Sequence, residues 1–202
     1  MEVVKEVSVD VLVWAHLIDH ACEGKVDDAL VSPPSFDDTV ANGRRWAALF
    51  GCRPAQAYAL LNSHQAGNKC ALIKFDRQDV WRLRPCWPCK DFDILASGYA
   101  ELESTGVPFD MNGEAVWVKH AGYFEKVGVL RGVWRSRAPN DLPDTTDLAS
   151  LPAVHRTIWD TSSERPFVLD GMHRLIALAL LLRQDGDASF ECAFAFAYGM
   201  PP

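Results

Sequence analysis

The sequence has no long hydrophobic run and no excess of positive charge. Its longest apolar stretch, Leu175 to Leu182, is far shorter than the roughly 20 residues that a membrane-spanning helix needs. The formal net charge is -7 and the isoelectric point is near 5.3. A protein that coats DNA needs lysine and arginine to displace the counterions of the phosphates. We therefore expect neither a membrane span nor a DNA partner.

An export signal and an internal repeat are also missing. The opening residues, MEVVKEVSVDV, contain no basic segment followed by a long apolar stretch, so we expect a cytoplasmic protein. No period between about 20 and 50 residues recurs, which excludes the common repeat architectures. What remains is a chain of 202 residues, 49% hydrophobic and 23% charged, which is typical of a globular α/β or α+β protein.

Two pairs of residues have spacings that suit metal ions. Cys86 and Cys89 form a CxxC pair, which can provide half of a zinc site or a redox pair, but no second pair with matching spacing accompanies it. We therefore favour ordinary reduced cysteines there over zinc or redox chemistry. His16 and His20 are four residues apart on a predicted helix and can share a metal ion, although the apolar surroundings of His16 favour simple packing.

The spacing of apolar residues predicts the secondary structure coarsely. In the first half we expect a strand over 6–13, a helix over 16–23, two helices between 37 and 62, and a strand containing Ala71, Ile73 and Phe75. Asn112-Gly113 predicts a hairpin with strands over 115–119 and 123–129, followed by a loop over 137–152. The remainder predicts strand 154–159, turn 161–165, strand 166–169, helix 172–184 and strand 190–198.

A charge conflict marks the sequence FVLDGMHRLIALALLL, residues 167–182. The amides of a helix's first turn lack internal partners and the helix dipole makes that end positive, yet His173 and Arg174 fall there. A bound phosphate relieves the conflict, because it accepts from the amides and from Arg174 together, and Gly171 allows close approach. Asp170 can cap the helix, hold a metal ion on the phosphate, or accept a proton from a substrate hydroxyl.

The competing hypothesis is purely structural. In it Asp170 caps the helix, His173 packs, and Arg174 pairs with an acid such as Asp160 or Glu164. The residues alone leave the two hypotheses open.

The segment AVHRTIWDTSSERPFVLDGMHRLIALALL resembles the core of the ParB/sulfiredoxin superfamily, over about residues 150–198. In that family two strands lead into a DGxHR phosphate-binding motif at a helix start, matched here by Asp170 to Arg174. The resemblance implies chemistry on a nucleotide phosphate, since its members include sulfinic acid reductases, free-serine kinases, CTP-hydrolysing partition proteins and nucleases.

This sequence departs from the superfamily's motifs in three ways, and each departure bears on which of its activities we expect here. Sulfiredoxin has a cysteine where this chain has Met172, so sulfinic acid reduction is not expected. Partition proteins continue into a helix-turn-helix domain, and the chain ends soon after the last predicted strand, so DNA segregation is not expected either. The kinases use a glutamate ahead of the motif as base, often in a His-Glu pair. No such pair occurs here, and Asp144 and Asp147 are the acids that can take its place.

The sequence therefore predicts an α+β protein with a ParB/sulfiredoxin-like mixed sheet. Residues 111–202 would form the core and residues 1–110 an N-terminal elaboration of unknown role, or the two would form one continuous domain.

The function that the resemblance implies is a kinase-like phosphotransferase that uses ATP or another nucleotide with Mg²⁺ on a small molecule. Gly171, Met172, His173 and Arg174 would bind the nucleotide. Asp170 and His173 would be catalytic, with Asp170 orienting the metal or the acceptor. A nucleotide-sensing or protein-interaction module without turnover is the alternative, and a metal-dependent nuclease is a third. Whether the protein is an enzyme stays open from the sequence alone.

Overall fold

A computed structural model describes residues 1–22, 26–27, 30, 38–85, 145, 148, 153–171, 175, 178 and 193–201. The helices in these ranges are α1 (Val9–Cys22), α2 (Thr39–Cys52), α3 (Pro54–Gln65) and α4 (Arg77–Arg82), with a 3₁₀ turn at Ala153–Arg156. The strands are β1 (Glu2–Val7), β2 (Lys69–Phe75), β3 (Arg84–Pro85), β4 (Ile158–Asp160), β5 (Phe167–Asp170) and β6 (Ala193–Met200).

The strands form one mixed sheet in the order β1-β2-β6-β4-β5-β3. The pairs β1-β2, β2-β6 and β4-β5 are antiparallel, whereas β4-β6 and β3-β5 are parallel. Strand β6 lies in the middle of the sheet, and seven of its eight residues are buried. The mixed sheet with helices confirms the predicted α+β class.

The strand predicted over 6–13 is wrong, because helix α1 begins at Val9 and is buried along most of its length. A strand does precede it, but as β1, and the predicted helix over 16–23 is the second half of α1. Residues 11–18 are all buried, so this part of the helix faces the protein interior on every side, and its β-branched valines resemble a strand pattern. Ser8 begins the helix, because its hydroxyl oxygen accepts a hydrogen bond from the amide of Asp10 at 3.2 Å.

Helices α2 and α3 confirm the two helices predicted between 37 and 62. The carboxylate of Asp38 begins α2 by accepting hydrogen bonds from the amides of Val40 and Ala41, at 3.1 and 2.9 Å. Only Arg53 separates the helices, and Pro54 then opens α3, where a missing N–H costs nothing. The predicted interruption near the GCRP sequence is therefore correct.

Strand β2 confirms the strand predicted around Ile73. It pairs with β1 on one side and with β6 on the other, and five of its seven residues are buried. Short helix α4 follows, which the sequence did not predict. Asp76 begins α4 through a capping box with Asp79, in which each carboxylate accepts from the other residue's backbone amide.

The strand predicted over 154–159 is partly wrong, because a 3₁₀ turn occupies its first half. Nδ1 of the buried His155 side chain accepts a hydrogen bond from the amide of Phe194 at 3.2 Å. This hydrogen bond uses the amide of Phe194 that a longer β4 would pair with, and the β4-β6 ladder therefore begins only at Ile158. The predicted turn over 161–165 and the next strand are confirmed, the latter within one residue as β5.

The final strand confirms the one predicted over 190–198, displaced to Ala193–Met200. Several other predicted elements lie outside the described residues. They are the hairpin at Asn112-Gly113 with its strands over 115–119 and 123–129, the loop over 137–152 except Thr145 and Leu148, and the helix over 172–184 except Leu175 and Leu178.

One sheet contains strands from both sides of residue 110, since β1, β2 and β3 come from residues 1–110 and β4, β5 and β6 from residues 111–202. A ParB/sulfiredoxin-like fold remains a prediction. Among the described residues, no helix combines the length and the apolar character that crossing a membrane requires.

Candidate functional site

The candidate site is built around Asp170, the last residue of β5. Strand β5 pairs with β4 so that Asp170 lies opposite Ile158, which fixes where its carboxylate leaves the sheet. Gly171 follows with φ of 86°, in the left-handed region that favours glycine. Its carbonyl oxygen accepts a hydrogen bond from the amide of Leu175 at 3.0 Å, the spacing of an α-helix. The described residues are thus in a strand up to Asp170 and in a helix at Leu175.

Two leucines hold this helix against the core. Leu175 and Leu178 are helical and fully buried, and they are spaced so that they share one face. Burying two leucines stabilises their position by about 1.5–3 kcal/mol each relative to exposure. These two buried leucines therefore fix where the helical residues lie relative to the end of β5.

A buried histidine of α1 lies against the carboxylate. Nδ1 of His16 is 3.2 Å from Oδ2 of Asp170, and the exposed fractions of the two side chains are 1% and 20%. This is an ion-pair distance, but the two groups are not aligned as a hydrogen bond, and neither ring nitrogen of His16 has a hydrogen-bond partner among the described residues. A buried polar atom without a partner costs about 1–3 kcal/mol.

The second histidine of α1 lies one turn further along. The rings of His16 and His20 stack with centroids 6.2 Å apart and planes inclined by 13°. Nε2 of the buried His20 accepts a hydrogen bond from Nε of Arg53 at 3.1 Å. Since Nε2 is an acceptor, a neutral His20 ring carries its proton on Nδ1. The half-buried Arg53 thereby places a positive charge beside the histidines.

Three side chains are arranged like metal ligands. His16, His20 and Asp170 each offer one donor atom, and these atoms lie within 4.8 Å of one another. The two histidines are buried, and the side chain of Asp170 is partly exposed. Such a group can bind a cation, or use the imidazole to orient a carboxylate that accepts a proton.

Most of the predicted site residues lie outside the described residues. Of the motif, the structure describes Asp170 and Gly171, but not Met172, His173 or Arg174. The predicted cysteine pair, Cys86 and Cys89, and the candidate bases Asp144 and Asp147 also lie outside them.

The structure also describes the two acids that the structural hypothesis offers to Arg174. The carboxylate of Asp160 already accepts hydrogen bonds from the amide of Ser162 at 2.9 Å and from the hydroxyl of Tyr198 at 3.1 Å. Glu164 is exposed.

Sequence reasoning found the two histidines and the aspartate separately but did not bring them together. The helical spacing of His16 and His20 is visible in the sequence, and so is the position of Asp170 at the end of a strand. Their contact depends on which strand end faces α1, and no local pattern carries that information. Nothing in the sequence pointed to Arg53, which lies between two helices.

Comparison of the chain with protein-family models, with curated proteins and with solved structures finds no match.

Proposed function

We propose that the protein is a nucleotide-dependent phosphotransferase that acts on a small hydroxyl-bearing molecule at the turn after β5. The observation that carries the proposal is the geometry of Asp170 and Gly171. A partly exposed carboxylate ends a buried strand, and the next residue, with φ of 86°, accepts the helical hydrogen bond from Leu175.

The geometry supports phosphate binding through the sequence between Gly171 and Leu175. That sequence contains His173 and Arg174, and the first amides of a helix together with a guanidinium are a common phosphate-binding combination. The glycine lacks a side chain that would keep a phosphate away from the backbone. In the proposal Arg174 and the amides around Met172 hold the nucleotide, and His173 contacts the transferred group.

The His16–Asp170 pair supports a role for the carboxylate as proton acceptor. Asp170 is 20% exposed and so can reach a substrate hydroxyl, whereas His16 lies behind it, 1% exposed. Nδ1 of His16 lies 3.2 Å from Oδ2, so the imidazole can orient the carboxylate once the two groups align as a hydrogen bond. The pair therefore takes the place of the His-Glu pair that the sequence lacks, with His16 as a positioning residue and Asp170 as the catalytic one.

The residues also suit Mg²⁺ carried by a nucleotide. This ion is usually held by one or two carboxylates together with phosphate oxygens, and Asp170 offers a carboxylate oxygen next to the proposed phosphate position. When bound, Mg²⁺ neutralises charge on the phosphates. The contribution of this chain is to bind the phosphates, to orient the acceptor hydroxyl and to accept its proton at Asp170.

The decisive experiment measures nucleotide binding and turnover by matched variants. A thermal-shift series with ATP, ADP and CTP, with and without Mg²⁺, detects binding because a ligand of the folded state raises the melting temperature. We expect Arg174→Ala to weaken nucleotide binding about tenfold or more, since a charge-assisted hydrogen bond contributes roughly 1.5–3 kcal/mol. Asp170→Asn should retain binding but release no ADP.

Arg44→Ala is the matched control, because Arg44 is an exposed arginine on α2. It should bind nucleotide like the parent protein. A melting-temperature shift without any product would favour a nucleotide-sensing module over an enzyme. Equal nucleotide shifts in the parent and in Arg174→Ala would overturn the phosphate site itself.

A further inference from the structure

We infer that His16, His20 and Asp170 form a binding site for a divalent transition ion, with Zn²⁺ as the representative case. The inference goes beyond phosphotransfer and does not rest on it. It concerns the inner face of the Asp170 carboxylate, where Oδ2 meets α1, and it requires no nucleotide.

Two separate elements provide the donor set. Residues four apart on an α-helix lie one above the other, which brings the rings of His16 and His20 together on the face of α1 that meets β5. The end of β5 adds a carboxylate. Two imidazoles with one carboxylate are a recurring ligand set for zinc and other first-row transition ions, with positions left open for water or substrate.

His16 gives an independent reason to expect a ligand. Its side chain is 1% exposed, and neither of its ring nitrogens has a hydrogen-bond partner among the described residues. Buried polar side chains are nearly always satisfied, so a histidine of this kind needs an explanation. An ion bound at Nδ1, the nitrogen that faces Asp170, supplies a partner for one of the two ring nitrogens.

The distances are close to those of a coordinated ion. Metal–donor bonds of about 2.0–2.2 Å in a tetrahedral site place donor atoms about 3.4 Å apart. Nδ1 of His16 and Oδ2 of Asp170 are already 3.2 Å apart, and all three donor atoms lie within 4.8 Å. Closing the remaining gap needs donor movements of about 1 Å, which small changes in side-chain torsions provide.

The donor set also selects the class of ion. Mg²⁺ and Ca²⁺ prefer oxygen ligands, whereas imidazole suits zinc, iron, nickel and copper. Three protein ligands leave at least one coordination position free for water or substrate. The site is therefore of the open type rather than the closed structural type.

Arg53 competes with the ion for His20. Its guanidinium donates to Nε2 of that ring, so coordination through Nε2 requires Arg53 to release the nitrogen. If Nδ1 coordinates instead, Nε2 carries the proton and can no longer accept from Arg53. Either way Arg53 has to move, and its half-buried position gives it access to solvent.

The test is a metal titration of the full chain after treatment with a chelator, without nucleotide. Zn²⁺ affinity is measured by competition with a chromogenic chelator, and Co²⁺ provides a visible spectrum that reports the ligands. We expect one equivalent of each ion to bind, with a Co²⁺ spectrum that lacks the charge-transfer band of thiolate ligands. Asp170→Asn and His20→Gln should each weaken Zn²⁺ binding by at least the roughly 10–100-fold that the loss of an outer-shell partner costs.

Two controls remove other zinc ligands of the chain. His64→Ala removes an exposed histidine of α3, and the double variant Cys86→Ser/Cys89→Ser removes the CxxC pair. Both should bind Zn²⁺ like the parent protein. His16→Asn should also weaken Zn²⁺ binding, provided that circular dichroism shows that it folds. If it does not fold, the Asp170→Asn result and the Co²⁺ spectrum decide whether these residues bind Zn²⁺. The inference is overturned if no equivalent of Zn²⁺ binds, or if Asp170→Asn retains binding that the cysteine variant loses.

Nucleotide binding is measured separately, in chelator-treated protein supplied with Mg²⁺ alone. A protein that binds Zn²⁺ but no nucleotide keeps this inference and loses the proposed phosphotransfer. A protein that binds nucleotide but no Zn²⁺ keeps the proposed phosphotransfer and loses the zinc site.

Discussion

Nε of Arg53 donates a hydrogen bond to Nε2 of His20 across 3.1 Å, which joins the residue between α2 and α3 to the last turn of α1. Arg53 lies between two helices, and the histidine is one of the three residues of the group that includes the carboxylate at the end of β5. Replacing Arg53 therefore changes the charge near the candidate site without replacing any of its ligands.

Replacing Arg53 should strengthen metal binding. We expect Arg53→Met to raise the affinity for Zn²⁺ about tenfold, because one charge a few ångströms from a partly exposed site contributes on the order of 1 kcal/mol. Competition with a chromogenic chelator measures the change, and Arg44→Ala controls for net charge. If the group bound an anion instead, the same variant would bind its ligand more weakly and Zn²⁺ no better.

Strand β6 should not tolerate a side chain at Gly199, its second-to-last residue. Its φ is 83°, and an added Cβ would lie 2.9 Å from Oδ1 of Asp160 and 3.1 Å from the amide nitrogen of Ser162. The carboxylate cannot move aside easily, because it also accepts a hydrogen bond from the hydroxyl of Tyr198. We expect Gly199→Ala to destabilise the protein by about 2–5 kcal/mol, from backbone strain and overpacking together.

Gly67→Ala separates these two contributions. Gly67 has φ of 78° but nothing within 4 Å of an added Cβ, so only the backbone strain of about 1–2 kcal/mol applies. Urea denaturation of both variants measures the difference. Equal losses of unfolding free energy would show that the close approach to Asp160 is unimportant.

Helices α1 and α2 are joined by a hydrogen bond from the indole Nε1 of Trp46 to Oδ1 of Asp10, at 2.9 Å. A hydrogen bond to a charged acceptor typically contributes about 1.5–3 kcal/mol. A double-mutant cycle with Asp10→Ala and Trp46→Phe should give a coupling free energy of unfolding in that range. A coupling near zero would mean that packing alone holds the two helices together.

The thiol of Cys70 should resist alkylation at neutral pH. Burial raises its pKa from 9.0 to about 11, and the reactive thiolate is therefore scarce. Cys52 is only partly buried, and neither of these two cysteines forms a disulfide. Iodoacetamide followed by mass spectrometry should show Cys52 modified well before Cys70 in the native protein. Equal rates under native conditions would contradict this, and equal rates in denaturant are the control.

The raised pKa of Cys70 also makes the free energy of unfolding depend on pH. Because the pKa of Cys70 is higher in the folded state than the ordinary value of 9.0, the unfolded chain releases its proton first as the pH rises. The contribution of this group to stability is thus complete below about pH 9 and declines between 9 and about 11. Cys70→Ala should make the urea midpoint less sensitive to pH in that window.

The sequence predicts best the elements that local chemistry determines. The spacing of apolar residues predicted α2 and α3, and their ends are local as well: the carboxylate of Asp38 caps α2, and Pro54 opens α3. The first half of helix α1 could not be predicted, because it is almost fully buried, and this burial removes the periodicity that reveals a helix. The 3₁₀ turn at Ala153–Arg156 depends on a hydrogen bond between His155 and a distant strand.

In the candidate site, too, local features are predictable from the sequence and long-range contacts are not. The end of β5 and the sharp turn at Gly171 are local features, and the sequence predicts both. The approach of His16 to Asp170 depends on the strand order, which brings together segments far apart in the chain. Residue types and spacing alone do not determine that order.

The central place of β6 has a consequence for how the protein is made. Strand β2 leaves the ribosome long before β6, its neighbour in the finished sheet, so one edge of β2 has no native partner during most of translation. Unpaired edges of apolar strands are where nascent chains aggregate. Synthesis of this chain therefore includes a long interval in which chaperones have an exposed strand to protect.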